Sequence, residues 1–311
     1  GIPIIAIMKE SLMAVTIDGL YGIVNGTCNY ILTEMAAQKA NFKDMLLLAQ
    51  KKGYAEADPT FDIDGTDSFH KLVILTMLAF GITPPTSGSG HRGAAHGGVA
   101  VEGITKIEWV DIFYAKMFGF VIKLLAYGRQ TNEHLSLGVA PMLVPDNHSI
   151  AHVDGALNAI DITSPAHGSL LFVGKGAGGP PTAAAVLSDM MKAASSHPNH
   201  QATGYQPPFI RPFQQLQQNQ LSLTNPDEEY GRFYLRLTVD DKIGVLASAG
   251  GILRDEDISI EKLHQHDDKP VHIVFITHPT KAAAIKKAVA KIKKLEAVLD
   301  EPCLIRLMGH R

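Results

Sequence analysis

The sequence predicts an α+β protein in two units, residues 1–194 and 230–311, joined by a linker over 195–229. Three observations predict it. Helical patterns fill residues 29–80, and short strand patterns follow between residues 120 and 175. The last eighty or so residues run strand, helix, strand, strand, helix, strand, the ferredoxin-like βαββαβ order. Between the two units lies a stretch rich in Gln, Asn, His and Pro, the composition of a linker.

Taken in order, "TIDGLYGIVNG" alternates as a strand and ends at a turn. "NYILTEMAAQ" follows as a helix for which Asn29 can serve as N-cap. "NFKDMLLLAQKKG" is a clearer helix. Asn41 caps it, Phe42, Met45, Leu46 and Ala49 share a face, and Gly53 stands at the C′ position. A helix is expected over Asp67–Phe80. Residues 81–100 form a Gly/Ser/His-rich loop, and "WVDIFYAKMFGF" is helical. "VIKLLAYGR", "HLSLGVAPMLV", "GALNAIDIT" and "HGSLLFVG" are strands, and "PTAAAVLSDMMKAA" is a helix with Pro just inside its start. In the second unit, "GRFYLRLTVD", "ISIEKLHQH", "VHIVFITH" and "CLIRLM" are strands around helices "GVLASAGGILRD" and "TKAAAIKKAVAKIKKL". The second of these helices buries Ile285, Val289 and Ile292 and solvates its lysines.

Composition narrows the class. A chain of 311 residues that is 46% hydrophobic and 19% charged fits a soluble globular protein and excludes disorder. A net charge of −3 gives no field to recruit nucleic acid or anionic lipid. Two cysteines, Cys28 and Cys303, suit a reducing cytoplasm better than a disulfide framework. No apolar run has the length to span a bilayer. The opening "GIPIIAIMKES" has no features of a signal peptide and reads as the interior of a longer chain.

The chemistry concentrates in "GYAEADPTFDIDGTDSFHK", which carries Glu56, Asp58, Asp62, Asp64 and Asp67 before Lys71. Calcium is rejected: with Gly65 at loop position six, Lys71 takes position twelve, where an EF-hand needs a bidentate Glu. A plain helix start explains part of the pattern. Asp64 or Thr66 caps, Asp67 complements the dipole, and Asp67 pairs with Lys71 at i,i+4. The functional reading is a polar pocket for a small zwitterion. Carboxylates hold its ammonium, and Lys71, flanked by Phe69 and Leu72, is partly desolvated and becomes a proton donor that Asp67 holds in place.

A second motif is "GKGAGG", in which Gly174, Gly176 and Gly179 match G-x-G-x-x-G. No acidic residue ends a second strand about 20 residues on, so a complete dinucleotide fold is not expected there. The loop is either a tight strand–helix turn or a place where backbone approaches a cofactor. The histidine pairs His91/His96, His148/His152, His197/His200 and His264/His266 lack the context of a zinc site, and no metal is expected.

Together, "GIPII", "YGIVNGTCNYILTEM", "GYAEADPTFDIDGTDSFHKLVIL", "EGITKI" and "GKGAGGPPTAAAVLSD" resemble, in that order, homoserine dehydrogenases of the long, regulated type. The resemblance covers about residues 1–194, and "DDKIGVLASAGGIL…ISIEKLHQ" is similar to an ACT domain. It implies a mixed sheet covered by helices, forming a catalytic and dimerisation domain, then an ACT domain over 230–311. It implies reduction of L-aspartate 4-semialdehyde to L-homoserine with NADP or NAD as cofactor, in threonine, methionine and isoleucine biosynthesis. Lys71 corresponds to the lysine that gives a proton to the new alkoxide, with Asp67 as its catalytic companion. Glu56, Asp62, Tyr54, Gly26 and Thr27 correspond to substrate contacts, and Gly176 and Gly178 to the loop that meets the cofactor. Asp241, Ile243, Gly244, Val245 and Leu246 correspond to an effector loop, Ile243 standing where the family has Pro, with threonine as the expected effector and a homodimer or homotetramer as the assembly. The family's N-terminal dinucleotide-binding domain is expected to be absent from this chain. A second reading is therefore a catalytically incomplete module that binds an amino acid and oligomerises.

Overall fold

The computed structural model describes residues 1–85, 98–195, 221–266 and 269–309. Most of the Gly/His-rich loop at 84–98 and of the expected linker, residues 86–97 and 196–220, lies outside them. The chain opens with α1 (Ile4–Ala6), continued by a π-helical turn Ile7–Ser11, then β1 (Gly19–Ile23). Helices α2 (Gly26–Gln38), α3 (Phe42–Lys51), α4 (Thr60–Ile63) and α5 (Thr66–Phe80) follow, then β2 (Ala100–Val101) and α6 (Trp109–Met117). Four strands come next, β3 (Phe120–Thr131), β4 (His134–Pro145), β5 (Leu157–Ser164) and β6 (Gly168–Lys175), then α7 (Gly179–Ser195). After β7 (Ser222–Leu223) and β8 (Tyr230–Gly231) come β9 (Phe233–Val239), α8 (Val245–Asp255), β10 (Ile260–His266), β11 (Val271–Thr277), β12 (Thr280–Lys281), α9 (Ala282–Ile292) and β13 (Cys303–Leu307).

One mixed sheet runs through both units, in the order β10-β11-β9-β13-β4-β3-β1-β5-β6, with β2 and β7 also paired to β4. Most pairs are antiparallel, and β2, β7 and β13 meet β4 in parallel. The β3–β4 hairpin is the spine. It pairs Phe120↔Pro145 through Thr131↔His134, and Asn132 takes the left-handed conformation (φ 53°) that a two-residue hairpin loop favours. Its residues alternate between two cores, as a pleated strand requires. Ile122, Leu124 and Ala126 face the helical layer, while Leu125 and Tyr127 join Ile23, Met142 and Ile150 on the opposite side.

The last four main strands have the expected ferredoxin-like order. Leu235, Leu237, Phe275, Ile285 and Ile292 bury one face against α8 and α9. The other face, with Tyr234, Val274 and Ile276, joins the larger core. Two buried polar clusters cross the same boundary. Asp111 on α6 accepts from Arg236 Nε (2.6 Å) and Tyr234 Oη (3.0 Å) on β9. Arg306 on β13 bonds Glu229 and, at 3.0 Å, Tyr127 Oη on β3. Residues 221–229, inside the stretch read as linker, carry β7 and the buried Glu229.

Candidate active site

The site forms where β1 runs into α2. The N-cap of α2 is Asn25, one turn before the expected Asn29. Its Oδ1 accepts from the Cys28 N–H at 2.9 Å, and its Nδ2 donates to Asp62 Oδ1 (2.7 Å) and Asp67 Oδ2 (2.9 Å). One amide thus caps the helix and gathers two carboxylates from elements 37 and 42 residues away. Asn29 instead faces the sheet and is fully buried.

Asp67 lies in the first turn of α5. The Thr66 N–H donates to Asp64 Oδ1 (2.9 Å), but Gly65 (φ 91°) is the N-cap residue. Lys71, one turn on, donates to Asp67 Oδ2 at 2.6 Å and to the Val24 carbonyl at 2.8 Å. The expected desolvation of Lys71 is not found: its side chain is 46% exposed. Phe69 and Leu72 point into the core, so they flank it in sequence and not in space. Lys71 is open to solvent.

Thr27 Oγ1 donates to the Tyr54 carbonyl (2.7 Å), and the Tyr54 ring packs on Tyr30 with centroids 4.6 Å apart. Gln50 Nε2 holds the Glu56 carbonyl (3.0 Å). The exposed Glu56 carboxylate makes no hydrogen bond or ion pair among the described residues. Beneath the site, the Cys28 thiol donates to the Asp62 carbonyl (3.2 Å); burial, then Asp62 and Asp67, push its pKa well up, so it is inert as a nucleophile.

The glycine loop lies next door. A Cβ at Gly176 would meet the Asn158 side chain at 2.5 Å, and one at Gly26 would meet Asn158 Oδ1 at 3.2 Å and the Ala156 carbonyl at 2.8 Å. Asn158 therefore touches both the α2 entry and the Gly176–Gly178 turn, and Gly178 has φ 122°, where a side chain is strained. This turn joins β6 to α7. It is not a dinucleotide fold, since β6 pairs antiparallel with β5.

In the second unit, a cavity of about 190 Å³ is lined by Asp240, Asp241, Lys242, Gly244, Val245 and Leu246 on one side and by Gln265, Val271 and Ile273 on the other. Ile243 is fully exposed and outside the lining; the left-handed Gly244 (φ 88°) follows it and turns the chain into α8. Among the described residues no group of three or more His, Cys, Asp or Glu could hold a metal ion, and no helix is long and apolar enough to cross a membrane.

Sequence reasoning missed Asn25, Asn158 and Lys123. Lys123, a lone lysine in the apolar "VIKLLAY", had a visible signal; Asn158 had none locally.

The site is thus an acidic cluster with an anchored lysine beside a glycine turn, followed by a βαββαβ unit with its own cavity. Comparison with known proteins gives the family. The homoserine dehydrogenase model matches residues 3–191 and the ACT domain model residues 233–297. Homoserine dehydrogenases of Neisseria gonorrhoeae and Helicobacter pylori are 39% and 38% identical, over 99% of this chain and 68% and 69% of theirs. The crystal structure of a homoserine dehydrogenase from Thiobacillus denitrificans superposes with a TM-score of 0.83 at 38% identity, covering 99% of this chain and 68% of that one. A hyperthermophilic archaeal homoserine dehydrogenase mutant in complex with NADPH has a TM-score of 0.50 at 27% identity, over 63% of this chain and 53% of that one. The chain belongs to the homoserine dehydrogenase family and spans about two thirds of the length of these bacterial relatives. Its activity is the NAD(P)-dependent interconversion of L-aspartate 4-semialdehyde and L-homoserine.

Proposed function

We propose that Lys71 is the general acid of the reduction. The observation that carries this is its partly satisfied ammonium: of three N–H donors, one goes to Asp67 and one to the Val24 carbonyl, leaving one for a substrate oxygen. Bound NAD(P)H supplies the hydride. As negative charge grows on the aldehyde oxygen, Lys71 donates to it and then transfers its proton. Asp67 and Val24 keep Nζ in place meanwhile, and exposure lets solvent restore the proton. Asp62, Asp67 and Glu56 bind the substrate ammonium, Gly26, Thr27 and Tyr54 complete its pocket, and the loop at Gly176 and Gly178 would meet the bound cofactor.

We further propose that residues 1–194 are the catalytic and dimerisation unit of a cytoplasmic homodimer or homotetramer, and that residues 230–311 are regulatory. Threonine, the end product, binds the Asp241–Leu246 cavity, where the amides at the α8 start suit a carboxylate.

The test of the central role is Lys71→Ala in the intact enzyme. We expect kcat to fall about 100-fold or more, the range of a positioned acid–base group, with a smaller change in KM. A kcat within threefold of wild type would remove Lys71 from the chemistry.

A further inference from the structure

Lys123 on β3 is 2% exposed, a lysine inside the protein that the chemistry above does not use. Its three donors are all spent: on the Val153 carbonyl (2.7 Å), Asp154 Oδ1 (3.0 Å) and Asn29 Oδ1 (3.2 Å). Burying a lysine is costly even when paired, and an apolar residue would fill the space at less expense. Stability alone is a poor reason for its presence.

Its partners all converge on one short segment. Asn29 Nδ2 donates to the Val153 and Leu157 carbonyls (2.9 and 3.1 Å). Thr33 Oγ1 accepts from the Gly155 N–H (3.1 Å) and donates to the Asn29 carbonyl (2.7 Å). Residues 153–157 are thus tied to the first two turns of α2. The next contacts along the segment are functional: Ala156 and Asn158 abut Gly26, and Asn158 abuts Gly176. Lys123 stands at the root of this arrangement, anchored in the rigid hairpin.

We propose that Lys123 is a positioning residue: it locks the 153–158 segment to α2 and so fixes the distance between the substrate turn at Gly26 and the cofactor loop at Gly176. This rests on the assignment of those two places made above. Hydride transfer is steep in distance, and a shift of about 1 Å far from the chemistry can cost about 100-fold in rate.

The experiment compares Lys123→Met, Asp154→Asn and, as control, Lys71→Ala. For Lys123→Met we expect kcat per folded molecule to fall 10- to 100-fold, while calorimetric homoserine binding changes less than threefold. Hydrogen exchange at amides 153–158 and 26–29 should quicken without cofactor present. Asp154 is 65% exposed, so its variant should fold normally. Asp154 is the charged group acting on Lys123, α2 contributes the neutral Asn29, and the preceding turn turns His148 toward Asp161 and leaves His152 exposed. Asp154→Asn should keep kcat near wild type at neutral pH and lose it at lower alkaline pH than wild type, as Lys123 deprotonates sooner. Unchanged kcat and exchange in Lys123→Met overturn the proposal. If that variant does not fold, an unshifted pH profile in Asp154→Asn overturns it. A normal Lys71→Ala control instead points to failure of the underlying site assignment.

Discussion

Replacing Asn25 by Ser separates the two jobs its side chain performs. Serine is a good N-cap, so the bond to the Cys28 N–H can be rebuilt and the helix start kept. The amide donors to Asp62 and Asp67 are lost. Each is a hydrogen bond to a charged group, worth about 1.5–3 kcal/mol when shielded. Asp67 is 30% exposed and keeps Lys71, so water replaces part of what is lost. With that discount each bond is worth about 1–1.5 kcal/mol, at the bottom of that scale or just below it, so a fair range for the pair is about 2–3 kcal/mol of local order. Little of it should appear as global stability, because both carboxylates sit at the cleft edge. It should appear in function, since Asp62 and Asp67 drift apart and Lys71 follows Asp67. We expect kcat/KM for homoserine oxidation to fall about 30- to 150-fold, the kinetic equivalent of that range, with Tm lowered by only a few degrees. The assay is steady-state NAD(P)⁺ reduction at varied homoserine beside thermal unfolding. Asn25→Ala should add the cap loss of about 1 kcal/mol to Tm and leave kcat/KM near the Ser variant. If Asn25→Ser is catalytically normal while Asn25→Ala is unstable, Asn25 is only a helix cap and the gathering of the carboxylates is incidental.

Three more outcomes are expected. Glu56→Gln should raise the homoserine KM about tenfold with little change in kcat, because its exposed carboxylate has no other partner to serve; an unchanged KM in initial-rate assays removes it from the substrate pocket. Titration calorimetry should show threonine binding where isoleucine and aspartate do not, and Gln265→Leu should weaken it; no heat with threonine leaves the cavity without its proposed effector. Burial holds the Lys123 pKa below the usual lysine range, with Asp154 partly offsetting it. The unfolded chain therefore binds more protons between that lowered value and about 10.4, and this group's contribution makes stability rise with pH across that window and stay flat below it. Urea-unfolding midpoints at stepped pH should show the rise in the wild type and lose it in Lys123→Met; identical slopes refute the sign.

Local patterns carried most of the secondary structure. The Asn41 cap accepts from the Asp44 N–H at 2.9 Å, Gly53 is left-handed at φ 76°, and the strands and helices of the last unit fall where alternation and helical spacing put them. The candidate site was legible wherever it is local: Asp67 and Lys71 are one helical turn apart, and a one-turn pair can be read from spacing. Asn25 was displaced by Asn29 because both asparagines sit at plausible cap positions one turn apart. Both are buried, and only the sheet decides which of them faces it: Asn29 is the one that meets Lys123 and the 153–157 carbonyls. Asn158 acts through Gly26 and Gly176, contacts that exist only after β5 has paired with β1 and β6. The joining of β13 to β4 was illegible for the same reason, since it links strands some 160 residues apart.

That junction limits how regulation can work. The cavity of the second unit and the acidic cluster are carried by one continuous sheet, and two buried ion clusters cross the boundary between them. Removing one partner of a buried ion pair costs about 3–5 kcal/mol. Allosteric coupling energies are usually about 1–3 kcal/mol. An effector of ordinary strength therefore lacks the energy to break the Asp111–Arg236 contact. What it can do is smaller. Val239 lines the cavity at the end of the strand that carries Arg236, and Arg236 grips α6, which packs on α2. A displacement of β9 passed through an intact ion pair would move α6 and, with it, the helix whose first turn holds Asn25. The ion pair serves such a device as a rigid link, and a design that weakened it would be expected to lose regulation before it lost activity.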